Sequence, residues 1–102
     1  MVNETVKILG EVRLERAAQD EKWGEQNHPD GTGADFYKRS ADAHRLQCDE
    51  KFRRGQGTWN DILLEEVYEA LAESDPAKLR VELIQVAAVA TAWVEAIDRR
   101  EG

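Results

Sequence analysis

The chain has 102 residues, 34% of them charged, and a net charge of −7. A length of this order makes one domain, residues 1–102, with a thin core that small chains often reinforce by oligomerising. The acidic balance excludes a nucleic-acid surface, which needs a basic patch, but leaves room for polyphosphate with divalent metal between the two.

The high charged fraction and the scarcity of β-branched runs predict helices throughout. The first is expected from about Glu4 to Lys22, with Asn3 as its N-cap. The leading MVNETVKILGEV lacks the apolar core and cleavage site of an export signal. Ile8, Val12 and Trp23 share one stripe of this helix with Arg16 and Gln19, so the stripe turns polar towards its C-terminal end. Two readings follow. Either Arg16 lies along the edge of the core with its head in water, or a nucleotide pocket is fed from this end. In the second, Gln19 reads a base edge, Arg16 meets a phosphate and Trp23 stacks on the base. The next segment, WGEQNHPDGTGAD, is a loop by composition, and Pro29-Asp30-Gly31 is a turn signal. His28 and Asp30 read first as turn residues and second as metal ligands.

Phe36 to Arg54 forms the second predicted helix, with Tyr37, Ala41, His44, Cys48 and Phe52 on its inward stripe. His44 reads as a core histidine. Cys48 is the only cysteine. It has no catalytic partner in sequence and reads as a small core residue. A chain with no possible internal disulfide is expected in the reducing cytoplasm. Gly55 and Gly57 end the helix.

Thr58 opens the third helix, with Asp61 three residues on in an approximate capping box. Leu63, Val67, Ala70 and Leu71 form an apolar stripe, and Glu65, Glu66, Glu69 and Glu73 cluster almost opposite. Taken alone, this is an amphipathic helix with a solvated acidic face. After a Ser-Asp-Pro break, Asp75 caps the fourth helix and Pro76 sits in its first turn. From Leu83 to Val94 only Gln85 and Thr91 are polar, and the run is too short to span a bilayer. A helix apolar on nearly all sides is buried on nearly all sides. One small bundle cannot bury it, so assembly into a homodimer or homotetramer is expected.

Glu66 and Glu69 are three residues apart on one helix, and Glu82 and Gln85 repeat the spacing on the next. Positions i and i+3 share a helix face, so two antiparallel helices can aim four oxygen-bearing side chains at one spot. A carboxylate beside a buried stretch is costly unless paired or bound to a metal. Arg80 lies about 160° away from Glu82 around the helix. Oxygen donors without sulfur or imidazole suit Mg²⁺, with Mn²⁺ in its place.

The stretch LLEEVYEALAE…LRVELIQVAAVA resembles the signature of the MazG-like all-α nucleoside triphosphate pyrophosphohydrolases. That family carries EExxE on one helix and ExxD on the next. Glu65, Glu66 and Glu69 match the first motif, Glu82 matches the second, and Gln85 stands where the family has aspartate. The N-terminal ERAAQDEKWG is similar to an ER-x-x-Q opening found in related phage proteins. The resemblance implies a four-helix MazG-like bundle, oligomeric. It also implies hydrolysis of a nucleoside triphosphate to monophosphate and pyrophosphate in nucleotide-pool house-cleaning. Glu66, Glu69, Glu82 and Gln85 would hold the metal. Glu65 and Glu66 would be the catalytic pair, with Glu65 holding a further ion or orienting the attacking water. The alternative is a helical interaction module that keeps the fold without the chemistry.

Overall fold

The structure, a computed structural model, describes residues 2–101, with side chains from Asn3 onward. Among the described residues there are four α-helices and no strand: α1 (Val2–Trp23), α2 (Asp35–Arg53), α3 (Trp59–Ala72) and α4 (Pro76–Glu101). None of these four helices is long and apolar enough to cross a membrane. The residues group into two compact units, and α4 contributes to both.

The first unit comprises α1, the loop as far as Asp30, and α4 from Thr91. Thr5 donates its hydroxyl to the Glu95 carboxylate at 3.2 and 3.3 Å, and Arg99 reaches Glu4 at 3.5 Å. Ile8 is the buried apolar residue of this unit among the described residues. Two expectations are corrected in this unit. Asn3 does not cap α1, because the helix already includes Val2. Nor do Val12 and Trp23 continue the inward stripe from Ile8, being 49% and 63% exposed. α1 runs for 22 residues and the part of α4 in this unit is about half as long, so the apolar positions beyond Ile8 outrun their cover.

The second unit, Gly31–Ala90, holds α2, α3 and the first half of α4. Contacts from α2 to α3 run Lys51 to Asp61, Cys48 to Glu65 and His44 to Tyr68. Numbers fall on one helix as they rise on the other, so the pair is antiparallel. Its hairpin is built from local signals. Gly55 adopts φ +74° just past α2, where a side chain would be strained. Thr58 and Asp61 complete the capping box in both directions. Phe52 lies against Gly57, leaving no room for a Cβ there, yet it remains 47% exposed instead of joining the core.

Asp75 caps α4 by accepting from the Lys78 N–H at 3.0 Å. Gly33 donates its N–H to the Leu71 carbonyl at 2.8 Å, closing the loop before α2 onto the end of α3. Its φ of +92° and a Cβ position only 2.8 Å from Ser74 Cβ admit glycine alone. Ala41, Cys48, Ala70 and Leu79 form a small buried core. In this unit α4 turns Leu79, Glu82, Val86 and Val89 inward, at the spacing of one helix face. Val81, Leu83 and Ile84 are more than half exposed. The all-round burial expected of α4 is therefore not reached within one chain.

Candidate metal centre

Three of the four proposed ligands come together. Glu66 and Glu69 project from α3 and Glu82 from α4, all half-buried, with one carboxylate oxygen of each within 4.8 Å of the others. Their position follows from the sequence. Glu66 and Glu69 are one turn apart on α3, and Glu82 occupies the inward stripe of α4 between Leu79 and Val86. Among the described residues this is the one such group of three or more metal-ligating side chains.

Burial and repulsion dominate the electrostatics. Burial, followed by the charges of Glu82 and Glu65, holds Glu66 above the ordinary carboxylate value. Glu69 is also raised by burial first, then by Glu66, Glu65 and Glu82. Arg45 on α2 partly offsets this, while pairing with Asp42 at 2.9 Å. The cluster is thus a set of hard oxygen donors whose ionised form the chain does not fully compensate. That matches the preferences of Mg²⁺ and Mn²⁺.

Gln85 reaches the cluster as well, with its amide oxygen facing the carboxylates of Glu66 and Glu82. Turned to satisfy its neighbours, its amide nitrogen donates to Glu66 Oε2 at 3.1 Å and to Glu82 Oε2 at 3.2 Å. Glu65 lies at the α2 side, close enough for its charge to raise both Glu66 and Glu69. The buried Cys48 thiol donates to it. Burial, then that hydrogen bond and the Glu65 charge, push the thiol up to about 11, so Cys48 is protonated and inert as a nucleophile.

Sequence reasoning missed this tether, although His44 and Cys48 share one stripe of α2 and therefore face one side of α3. His44 stacks on Tyr68 with ring centroids 4.5 Å apart and planes at 7°. Tyr68 lies between Glu66 and Glu69 in sequence, so the stack buttresses the segment that presents them.

The remaining candidates lie in the first unit. Arg16 is occupied along α1, donating to Gln19 Oε1 at 2.9 Å and to Asp20 at 2.8 Å. Gln19 also donates to Glu15 at 3.4 Å. Trp23 is exposed, with the Lys22 ammonium 4.9 Å from its ring centre. Gln19 and Trp23 line one shallow groove, and Arg16 lines another. His28 pairs with Gln26 at 3.1 Å in the exposed loop, and neither His28 nor Asp30 belongs to a metal-ligating group. No family model, curated protein or solved structure matches the chain.

Proposed function

We propose that this chain is a Mg²⁺-dependent nucleoside triphosphate pyrophosphohydrolase releasing monophosphate and pyrophosphate, with Mn²⁺ able to replace Mg²⁺. The observation that carries the reading is the convergence of Glu66, Glu69 and Glu82 on one point from two helices. The EExxE and ExxQ spacing, which resembles the MazG-like signature, supports it. Like charges held together in a half-buried place are costly, and a bound divalent ion removes that cost.

Bound there, Mg²⁺ supplies neutralisation of phosphate charge and a lowered pKa for the attacking water. The chain's own residues do the rest. Glu66, Glu69 and Glu82 supply the hard oxygens, and Glu65, held by the Cys48 thiol, is the carboxylate that orients water for in-line attack. The net charge of −7 repels a free polyphosphate, so substrate enters with its metal.

Assembly belongs to the same proposal. Val81, Leu83 and Ile84 are 54%, 52% and 58% exposed on α4, large apolar side chains that a partner surface would cover. A second copy covers them, giving a homodimer or a pair of dimers. The unmodified chain is expected to sediment as a dimer or larger at micromolar concentration, and a stable monomer would remove this part of the reading.

A specific observation favours one alternative. Gln85 brings no charge to the cluster, as expected of a helical interaction module that has lost the chemistry. Product analysis decides between them. A panel of nucleoside triphosphates incubated with the protein and Mg²⁺ should yield monophosphate and pyrophosphate. Orthophosphate as the first product would reject the mechanism, and no turnover with any nucleotide would favour the module.

A further inference from the structure

The side chain that departs from the MazG-like pattern is also the one that bridges the cluster. Gln85 follows Glu82 by three residues on α4, and its amide reaches Glu82 on its own helix and Glu66 on α3. Orientation is decided by its neighbours. In the structure the amide oxygen points at the Glu66 and Glu82 carboxylates, acceptor against acceptor, an arrangement that suits a bound cation but not the metal-free cluster. With the nitrogen inward, both N–H···O contacts form at 3.1 and 3.2 Å. A carboxylate at this position is acceptor-only when ionised and would add to the repulsion. An amide carries two donors on one atom and two lone pairs on the other.

We propose that Gln85 stands in for the cation while the cluster is metal-free, its amide nitrogen clamping Glu66 to Glu82, and that metal entry requires the amide to turn over and present its oxygen. The clamp stands on the hydrogen-bond geometry alone. The turning-over rests on the reading of the cluster as a metal centre. Gln85 is more exposed than the glutamates it touches, so a rotation about its last side-chain bond needs no repacking of the core. The clamp keeps α3 and α4 together when no metal is present. It also opposes metal entry, because two hydrogen bonds are surrendered and only a neutral oxygen is gained. This chain therefore holds its ion more weakly than an aspartate-bearing chain would, and tolerates losing it better.

The test is nuclear magnetic resonance of the ¹⁵N-labelled full chain, with the Gln85 side-chain amide assigned by its disappearance in Gln85→Met. In EDTA, that amide is expected to be shifted from those of the exposed Gln47 and Gln56 and to exchange with water several-fold more slowly. Titrated MgCl₂ should move it, saturating together with the backbone amides of Glu66, Glu69 and Glu82. Gln85→Glu should bind Mg²⁺ roughly tenfold or more tightly, from one added charge beside the ion. Gln85→Met, which has no clamp to surrender, should bind Mg²⁺ at least as tightly as the unmodified chain and should melt at a lower temperature in EDTA.

A Gln85 amide indistinguishable from Gln47 in EDTA would overturn the clamp. A Gln85 amide unmoved while the glutamate amides respond to Mg²⁺ would overturn the turning-over. If no amide responds to Mg²⁺, the metal centre itself fails and the turning-over fails with it. The EDTA spectrum then decides the clamp by itself.

Discussion

Two places on α3, about two turns apart, treat their carboxylates in opposite ways. At the N-terminal end, Asp61 accepts from the Thr58 hydroxyl at 2.7 Å, the Thr58 N–H at 3.0 Å and the Lys51 ammonium at 3.1 Å. These contacts, Thr58 first and then Lys51, hold it below the ordinary carboxylate value. At Glu66 and Glu69 the order reverses. Burial and the other glutamates lead, and both groups are raised. Composition does not separate these two sites, since both are acidic residues on one helix. The difference is who supplies the positive charge. For Asp61 the chain supplies it through Lys51 and the helix N-terminus. For the cluster the chain supplies a distant Arg45 and an amide, which leaves a place for an external cation.

The largest effect expected from this contrast is on chemistry. Glu82→Leu and Glu66→Gln each remove a proposed metal ligand. Each should lower pyrophosphate release well beyond the roughly 10- to 100-fold loss typical of changes behind the ligands. Lys51→Met, at the satisfied end, should leave turnover essentially unchanged. Steady-state assays at saturating Mg²⁺ check both. Equal losses at the two ends would erase the distinction.

Stability against pH should follow, with opposite signs at the two places. Glu66 and Glu69 are raised from an ordinary value of 4.5. Their contribution is whole below that unfolded-state value and is lost as pH rises through the raised folded values. Asp61 is lowered from 3.8, so its contribution is present above that value and is lost as pH falls through the depressed one. In EDTA, Glu66→Gln with Glu69→Gln should gain on the unmodified chain as pH rises from about 4.5 towards neutrality. Asp61→Asn should lose most at neutral pH and converge with the unmodified chain in acid. Parallel melting curves for all three proteins would contradict the assigned shifts.

The smallest effect concerns the cap. Thr58→Ala should cost about 1 kcal/mol in denaturant unfolding, the usual loss for an N-cap threonine, while the response to Mg²⁺ stays as it was. A changed metal response would mean that the two ends of α3 are coupled.

Much of this was legible in the sequence because it depends on local spacing. The four helices, the Asp75 cap, the Thr58–Asp61 box and the break at Gly55 are set by residues within a turn of each other. Glu66, Glu69 and Glu82 could be placed together from two i, i+3 pairs and one short connection. What could not be read depends on which helix faces meet. Cys48 and Glu65 are joined only because α2 and α3 pack antiparallel in one register. Gln85 could be put at the cluster, but an amide's two ends look the same in a sequence, and only the neighbouring acceptors choose the nitrogen. Val12 and Trp23 misled because helical periodicity marks an apolar stripe without saying how far along the helix a neighbour covers it.

The central claim is that the glutamate cluster takes an ion that the chain itself does not provide. Thermal unfolding of the unmodified protein at neutral pH, in EDTA and in millimolar Mg²⁺, tests it most directly, beside Glu66→Gln with Glu69→Gln. A ligand that binds only the folded state at a hundredfold excess over its Kd adds about 2.7 kcal/mol, or a rise of roughly ten degrees for a domain of this length. The account predicts a rise in the unmodified chain that grows with Mg²⁺ concentration towards that size, and none in the double variant. An unmodified chain that melts at the same temperature with and without Mg²⁺ would contradict it.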